Sequence, residues 1–358
     1  MKLQDLDHLR NEKQIRFKEE IVNGQQFTIV SYMIADTELW RIPNAVECRG
    51  ITFNSKGLCV SRPFEKFFSV GENENTQLHQ VIGNINEVFE KKDGSLVHPI
   101  LVNDEIFLKT KKSFYSDVAN LANARITKGV RELSKLTCKY EYTPIFEFTC
   151  DEYPIVLNYD NTDPFTLLAI RHNLTGEYLK WNEVIDLASS YQVPTVIQYN
   201  LTIEEILDNI KNLKNFEGYV LTLTNGTRVK LKTAWYLANH RLKTAIRERD
   251  IAEMVVDELV DDIKIAASAE NLDLTPILKI ENQVVAELTE LQFQVLEIVN
   301  ECKKQNLTQK EVAIQLKNHP LFGLIMREFL GKDANYVIYW KKNILPAYSL
   351  QCVYNQNF

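Results

Sequence analysis

Lys91-Lys92-Asp93-Gly94-Ser95 brings a primary amine, a carboxylate and a glycine together just after an apolar run, Ile85–Phe89. A lysine amine attacks phosphorus only after losing its proton. Burial and neighbouring cations both favour that neutral form. Asp93 can fix a tight turn, and Gly94 permits close backbone approach. Lys91-x-Asp-Gly therefore suits a covalent lysine–phosphorus bond. The same letters also describe a solvated turn between two strands, and alone they do not choose between the two.

Further charged residues recur in order along the chain. Arg49 lies in Glu47–Phe53, Lys66 in Ser61–Phe68, Glu147 in Ile145–Phe148 and Glu217 in Phe216–Val220, before Lys230 and Lys232. Asn225-Gly226 between apolar alternations is the strongest short hairpin signal. A two-residue turn sets Thr224 opposite Thr227, Tyr219 opposite Lys232, Leu221 opposite Lys230 and Leu223 opposite Arg228. Opposed residues share a face, so Glu217, in line with Tyr219, joins Arg228, Lys230 and Lys232. Three cations and a carboxylate suit a nucleotide triphosphate with its metal.

These residues need elements to hold them. Up to about residue 242 the chain reads as α+β. Short β-branched and aromatic runs (Phe27–Ile34, Gly50–Phe53, Leu58–Ser61, Ile106–Lys111, Tyr219–Leu223) alternate with helical patterns near 117–136, 182–191 and 202–213. From residue 243 to 358 the period changes. Ile251, Val255, Leu259 and Ile263 recur every four residues, and Val284, Leu288, Leu291, Val295, Ile298 and Cys302 every three or four. Thr308 with Glu311 reads as a capping box. The expected division is 1–242 and a helical 243–358.

With 358 residues, 45% hydrophobic and 25% charged, the chain has material for one or two ordinary globular domains. No run resembles a signal peptide or a membrane span. Six scattered cysteines form no C-x-x-C pair, and six histidines form no usable spacing. The net charge of −7 argues against a uniformly basic nucleic-acid coat, but it is unevenly spread. Residues 109–140 and 228–249 each carry +6, whereas residues 251–300 carry −9. A local groove for a polyanion stays open.

The ordered set Ser31-Tyr32, Glu47–Phe53, Ser61–Phe68, Lys91–Gly94, Lys109-Thr110-Lys111, Ile145–Phe148, Phe216–Val220 and Val229–Lys232 resembles the phage-type RNA ligase I family. That family belongs to the covalent nucleotidyltransferases. The similarity continues through Val260-Asp261-Asp262-Ile263 and Leu321–Met326. The resemblance implies a nucleotidyltransferase (adenylylation) domain with antiparallel sheets followed by an all-helical domain with a possible tRNA-specificity role. It implies an ATP-dependent RNA ligase that forms phosphodiester bonds through a lysyl-AMP and an adenylylated RNA 5′ end.

Lys91 is then the nucleophile. Tyr32, Arg49, Lys66, Glu147, Lys230 and Lys232 bind nucleotide. Lys111, beside Lys109 on one strand face, serves phosphate, and Tyr236 has an activity role as readily as a packing one. Glu217, Asp261 and Asp262 hold Mg²⁺ or Mn²⁺, although Asp257, Glu258, Asp261 and Asp262 equally read as a solvated acidic helix face. The implied partners are single-stranded RNA or tRNA with 5′-phosphate and 3′-hydroxyl ends and an end-healing enzyme. A monomer in the cytosol of a bacterium or a phage's host is expected, with no membrane contact. A DNA ligase, a capping guanylyltransferase and an inactive RNA-binding protein on the same scaffold are the competing readings. The first two usually carry a strand-rich OB module where this chain is helical.

Overall fold

The computed structural model describes residues 1–32, 38–150, 163–239, 247–269, 273–350 and 353. Among the described residues, thirteen strands and six α-helices precede residue 240. They are β1 Ile15–Val22, β2 Gln25–Tyr32, β3 Arg49–Asn54, β4 Cys59–Ser61, β5 Phe68–Ser69, α1 Leu78–Ile82, β6 Ile85–Glu90, β7 Ser95–Val102, β8 Glu105–Lys109, α2 Asp117–Arg125, α3 Lys128–Lys139, β9 Tyr142–Phe148, β10 Phe165–His172, α4 Trp181–Ser190, β11 Gln198–Tyr199, α5 Ile203–Asn212, β12 Gly218–Leu223, β13 Arg228–Lys232 and α6 Ala234–Asn239. Six helices follow: α7 Glu248–Val256, α8 Val260–Ala269, α9 Thr275–Lys304, α10 Gln309–Leu316, α11 Phe322–Phe329 and α12 Tyr336–Asn343.

The strands form three sheets, ordered β1-β2-β3-β4, β10-β9-β7-β8 and β11-β6-β12-β13-β5. Pairing is antiparallel except for β13 beside β5. Strands β2, β3, β9 and β10 are buried over consecutive residues, hence on both faces, and separate clusters form around Ile51 and Phe53, and around Phe146 and Phe165. Helix α3 packs on the second sheet through Val130, Leu133 and Thr137, spaced for one helical face. Thr127 caps it, accepting the Val130 N–H at 3.3 Å. The helical pattern near 117–136 is thus two helices, since Thr127 starts a new one.

The helical part has its own core. Helix α9 buries Ile277, Val284, Leu288, Leu291, Val295 and Val299 along one stripe, and Trp340 of α12 is fully buried against it. The Trp340 indole donates to Glu287 at 3.0 Å, satisfying its one polar atom. Thr308 and Glu311 form the reciprocal box anticipated at the start of α10. The 242/243 boundary lies outside the described residues. Among the described residues no helix is long and apolar enough to cross a membrane.

Two expectations are corrected. The spacing of Ile251, Val255, Leu259 and Ile263 describes two helices, because Glu258 adopts φ +61° and breaks the chain between α7 and α8. Asp257, Glu258, Asp261 and Asp262 therefore form a turn and a helix start, and no single helix face. The hairpin register is also shifted. Gly226 N–H donates to Leu223 O and Leu223 N–H to Thr227 O, both at 2.8 Å. The turn is therefore three residues long, Thr224–Gly226. Gly218 faces Lys232, Val220 faces Lys230 and Thr222 faces Arg228. Tyr219, Leu221 and Leu223 point to the opposite face and pack in a core with Val88 and Ile206. A one-residue slip exchanges the faces of a whole strand.

Candidate active site

Arg228, Lys230 and Lys232 lie on the face of β13 that lines a cleft of about 1560 Å³. That exceeds the space one small ligand fills, so the cleft has room for a nucleotide and part of a second substrate. Lys91 follows the last residue of β6, and its N–H donates to Gly218 O at 2.8 Å. This ties the amine-bearing turn to the start of β12. Glu217 precedes that strand. Gly218 takes φ +150°, and a Cβ there would meet Leu231 O at 2.1 Å. That departure from strand alternation turns Glu217 back into the cleft. Its Oε1 lies 2.8 Å from Lys91 Nζ and 3.8 Å from Lys232 Nζ. Glu217 thus keeps the company the hairpin argument expected, for a different reason.

The turn itself is packed. Asp93 is buried and accepts a hydrogen bond from Tyr236 Oη at 2.9 Å. Tyr236 is 2% exposed on α6, so it is a packed helix tyrosine whose hydroxyl also anchors the lysine turn. Gly94 lies against the end of β9. A Cβ at Gly94 would meet Phe148 O at 2.8 Å and Glu147 Cγ at 3.0 Å. Glu147 lines the cleft and is buried, and burial pushes its carboxyl up to about 8. Burial likewise raises Glu217, with Lys91 and Lys232 opposing it.

The first sheet supplies Tyr32 and Arg49 to the cleft, and the segment after β4 supplies Lys66. Tyr32 packs edge-on against Trp40, with centroids 4.9 Å apart. Arg49 Nη1 donates weakly to Glu65 O at 3.4 Å. Lys66 pairs with Glu72 at 3.2 Å. Glu47, two residues before Arg49, accepts from Arg62 at 2.7 Å and Arg171 at 2.8 Å. This ion network joins the first sheet to the second behind the cleft.

Lys109 does not share a phosphate-facing strand surface with Lys111. Strand β8 ends at Lys109, which is fully buried and donates to Gly50 O at 3.0 Å and Thr110 O at 2.8 Å. Burial lowers this amine to about 7. Lys111 lies beyond the strand. Its ammonium sits over the Tyr32 ring, 4.1 Å from the centroid, and meets Glu258.

Asp261 and Asp262 also reach the cleft lysines. Lys230 Nζ lies 3.0 Å from Asp261, and Lys232 Nζ lies 2.8 Å from Asp262. Ser69 Oγ donates to Asp261 at 3.1 Å. Burial alone would raise Asp261, but Lys230, Lys66 and Lys232 hold it well below the usual carboxylate range. The acidic stretch from Glu258 to Asp262 is therefore seated on the basic strands, and is not a solvated face. Glu217 Oε2 and Asp262 Oδ1 are buried without a hydrogen-bond partner. Such hard oxygens with spare lone pairs fit a hydrated Mg²⁺. No group of three or more His, Cys, Asp or Glu able to hold a metal occurs among the described residues.

Each named site residue lines this one cleft or, like Lys111, Asp261 and Asp262, meets a residue that does. The two aspartates join it through the lysines they pair with. Glu72, the partner of Lys66, stands outside the residues expected from sequence, and Glu258, the partner of Lys111, is expected there only as part of an acidic helix face. The opposed charge of 109–140 and 251–300 was the available signal for Glu258. Glu72 had none.

An archaeal ATP-dependent RNA ligase structure superposes with a TM-score of 0.51 at 16% identity, covering 80% of this chain and 78% of that one. At that identity the likeness shows the fold alone. The family model described as RNA ligase matches residues 47–236. A Thermovibrio ammonificans protein named "Putative RNA ligase" is 31% identical over 265 residues, covering 68% of this chain and 67% of that protein. RNA ligase 1 of bacteriophage TS2126 is 27% identical over 230 residues, covering 60% of this chain and 56% of the phage protein. The chain belongs to the RNA ligase family, enzymes that join RNA ends.

Proposed function

We propose that the protein seals RNA 5′-phosphate to 3′-hydroxyl ends with ATP, through a covalent adenylate on Lys91. The observation that carries this reading is the Lys91 amine, 2.8 Å from Glu217 and open to a cleft lined by Lys230, Lys232 and Arg49. The Lys91 nitrogen attacks the α-phosphorus of ATP, an N–P bond forms, and the bond to the β-phosphate breaks to release pyrophosphate. The proton on Nζ passes to Glu217, the nearest carboxylate and one whose basicity burial increases. Lys230 and Lys232 leave their aspartate partners to neutralise charge growing on the α-phosphate. Arg49, Tyr32 and Lys66 hold the nucleotide, and Lys111 serves a phosphate.

Glu147, protonated at neutral pH, offers a donor as well as an acceptor to ribose hydroxyls. An RNA 5′-phosphate oxygen then displaces Lys91 from phosphorus. Finally a 3′-hydroxyl attacks the activated 5′-phosphate and AMP leaves. Glu217 and Asp262, with Asp261 beside them, would hold Mg²⁺ or Mn²⁺. The ion supplies charge neutralisation at the phosphates. The helical part would read tRNA, and an end-healing enzyme would supply the required termini.

Incubation with α-labelled ATP and Mg²⁺, followed by a denaturing gel, tests the reading. Label should stay with the protein and vanish in Lys91→Ala, and 5′-phosphorylated RNA should be circularised or joined. Label from GTP alone points to a capping enzyme, product only from nicked duplex DNA to a DNA ligase, and no label at all to an inactive scaffold. Sealing of anticodon-nicked tRNA at no better rate than a linear oligonucleotide would remove the tRNA reading.

A further inference from the structure

Most cations of the cleft have a carboxylate. Lys91 meets Glu217, Lys66 meets Glu72, Lys92 meets Glu90, Lys230 meets Asp261 and Lys232 meets Asp262. Arg228 differs. Its guanidinium lies over the Tyr178 ring, 3.7 Å from the centroid, and 5.3 Å from that of Phe64. Its Nη1 is buried with no hydrogen-bond partner. Directly opposite on β12, Thr222 is 7% exposed, and its Oγ1 is also buried without a partner. Both residues line the cleft.

The neighbouring acids are not available to Arg228. Glu65 is taken by Arg171 at 2.7 Å and by Tyr178 Oη at 2.8 Å. Glu87 stands beyond Thr222 on β6 and makes no ion pair with Arg228. A guanidinium nitrogen kept from water with its donors unmet is costly unless a ligand completes it. Two aromatic rings cover it and leave its edge, which matches the oxygens of a phosphate bidentately. The Thr222 hydroxyl adds a donor from the next strand.

We propose that Arg228 and Thr222 form a phosphate subsite separate from the lysine end of the cleft. Arg228 and Lys232 stand at opposite ends of β13, four residue steps or about 13 Å apart along the strand. The phosphate belongs either to the triphosphate of ATP or to the backbone of bound RNA. This inference rests on the ligase reading above.

Arg228→Met keeps an apolar stem against Tyr178, Arg228→Lys keeps charge without the fork, and Thr222→Val removes the hydroxyl. Each full-length variant is assayed twice: self-adenylylation against ATP concentration, and sealing of chemically preadenylated RNA without ATP against RNA concentration. Arg228→Met should raise one KM roughly tenfold, with Arg228→Lys and Thr222→Val intermediate. A raised KM for ATP assigns the phosphate to the triphosphate. A raised KM for RNA, with the log–log salt slope of RNA binding reduced by about 0.7, assigns it to the RNA backbone. Both KM values within twofold of wild type in all three variants overturn the subsite, as does a fall in kcat alone. A wild-type protein that takes no label and seals no RNA removes the ligase reading together with the subsite. An active wild type with unaltered variants removes the subsite alone.

Discussion

At the scale of single residues, burial decides what the carboxylates can do. Glu147 is a carboxylic acid at neutral pH because burial disfavours its charge. Its folded value, about 8, lies above the ordinary one. The folded protein therefore binds a proton that the unfolded chain has already lost, and stability falls as pH rises from about 4.5 to 8. Glu147→Gln should lack that part of the decline, which urea midpoints across this range would reveal. A parallel pH profile in the two proteins would refute the buried-acid assignment. Tyr236→Phe should cost about 1.5–3 kcal/mol, the usual worth of a hydrogen bond to a charged group. It should also slow lysine labelling, since Asp93 in the lysine turn loses its anchor. Labelling at the wild-type rate would make Tyr236 a packing residue only.

At the scale of elements, the lysine turn must pack against the end of β9. Gly94→Ala forces a Cβ to 2.8 Å from Phe148 O, a backbone atom that cannot yield cheaply. Label transfer from ATP should drop by at least tenfold, while the circular dichroism spectrum keeps its shape. Wild-type labelling in this variant would show that the turn can shift without consequence. The start of α8 is the second such element. Asp262→Asn leaves Lys232 facing only Glu217 at 3.8 Å. Breaking a buried pair on one side costs about 3–5 kcal/mol. A lower urea midpoint and weaker Mg²⁺-dependent labelling are both expected. An unchanged metal dependence would take Asp262 out of the metal set.

For the whole molecule, charge is arranged as a contact between parts. The acidic residues 251–300 place Glu258, Asp261 and Asp262 on lysines of the sheet part. Arg16 on β1 completes the contact with Glu328 of α11 at 2.6 Å. Asp261 is held well below the usual carboxylate range by Lys230, Lys66 and Lys232 despite its burial. Its contribution is complete above the ordinary carboxylate value near 4 and is lost as acid pH protonates it. Unfolding below about pH 4 should be steeper in the wild type than in Asp261→Asn. Because the cleft lysines already have partners, few are free for RNA. Binding should be modest and weaken with salt at a log–log slope near −3, about four phosphate contacts. Tight, salt-insensitive binding would contradict this arrangement.

Local chemistry made much of this legible in the amino-acid order alone. Lys91-x-Asp-Gly marks a turn that carries a lysine because few residue types make so tight a turn. The 3.6-residue period of α9 announces a helix because only a stripe that can be buried survives as one. The Thr308–Glu311 box needs no distant partner. Three features did not follow from order. The face presented by β12 hinged on one turn residue, and a period of two turns that small error into a full reversal. Lys109 and Lys111 look alike in a strand pattern, yet one is enclosed by the Gly50 and Thr110 carbonyls and the other reaches Glu258. Asp261 and Asp262 look like a solvated acidic surface until the chain folds back about 30 residues onto Lys230 and Lys232. Local geometry is set by neighbours in the chain. Register, burial and ion pairing are set by whatever the fold brings alongside, and no spacing encodes that.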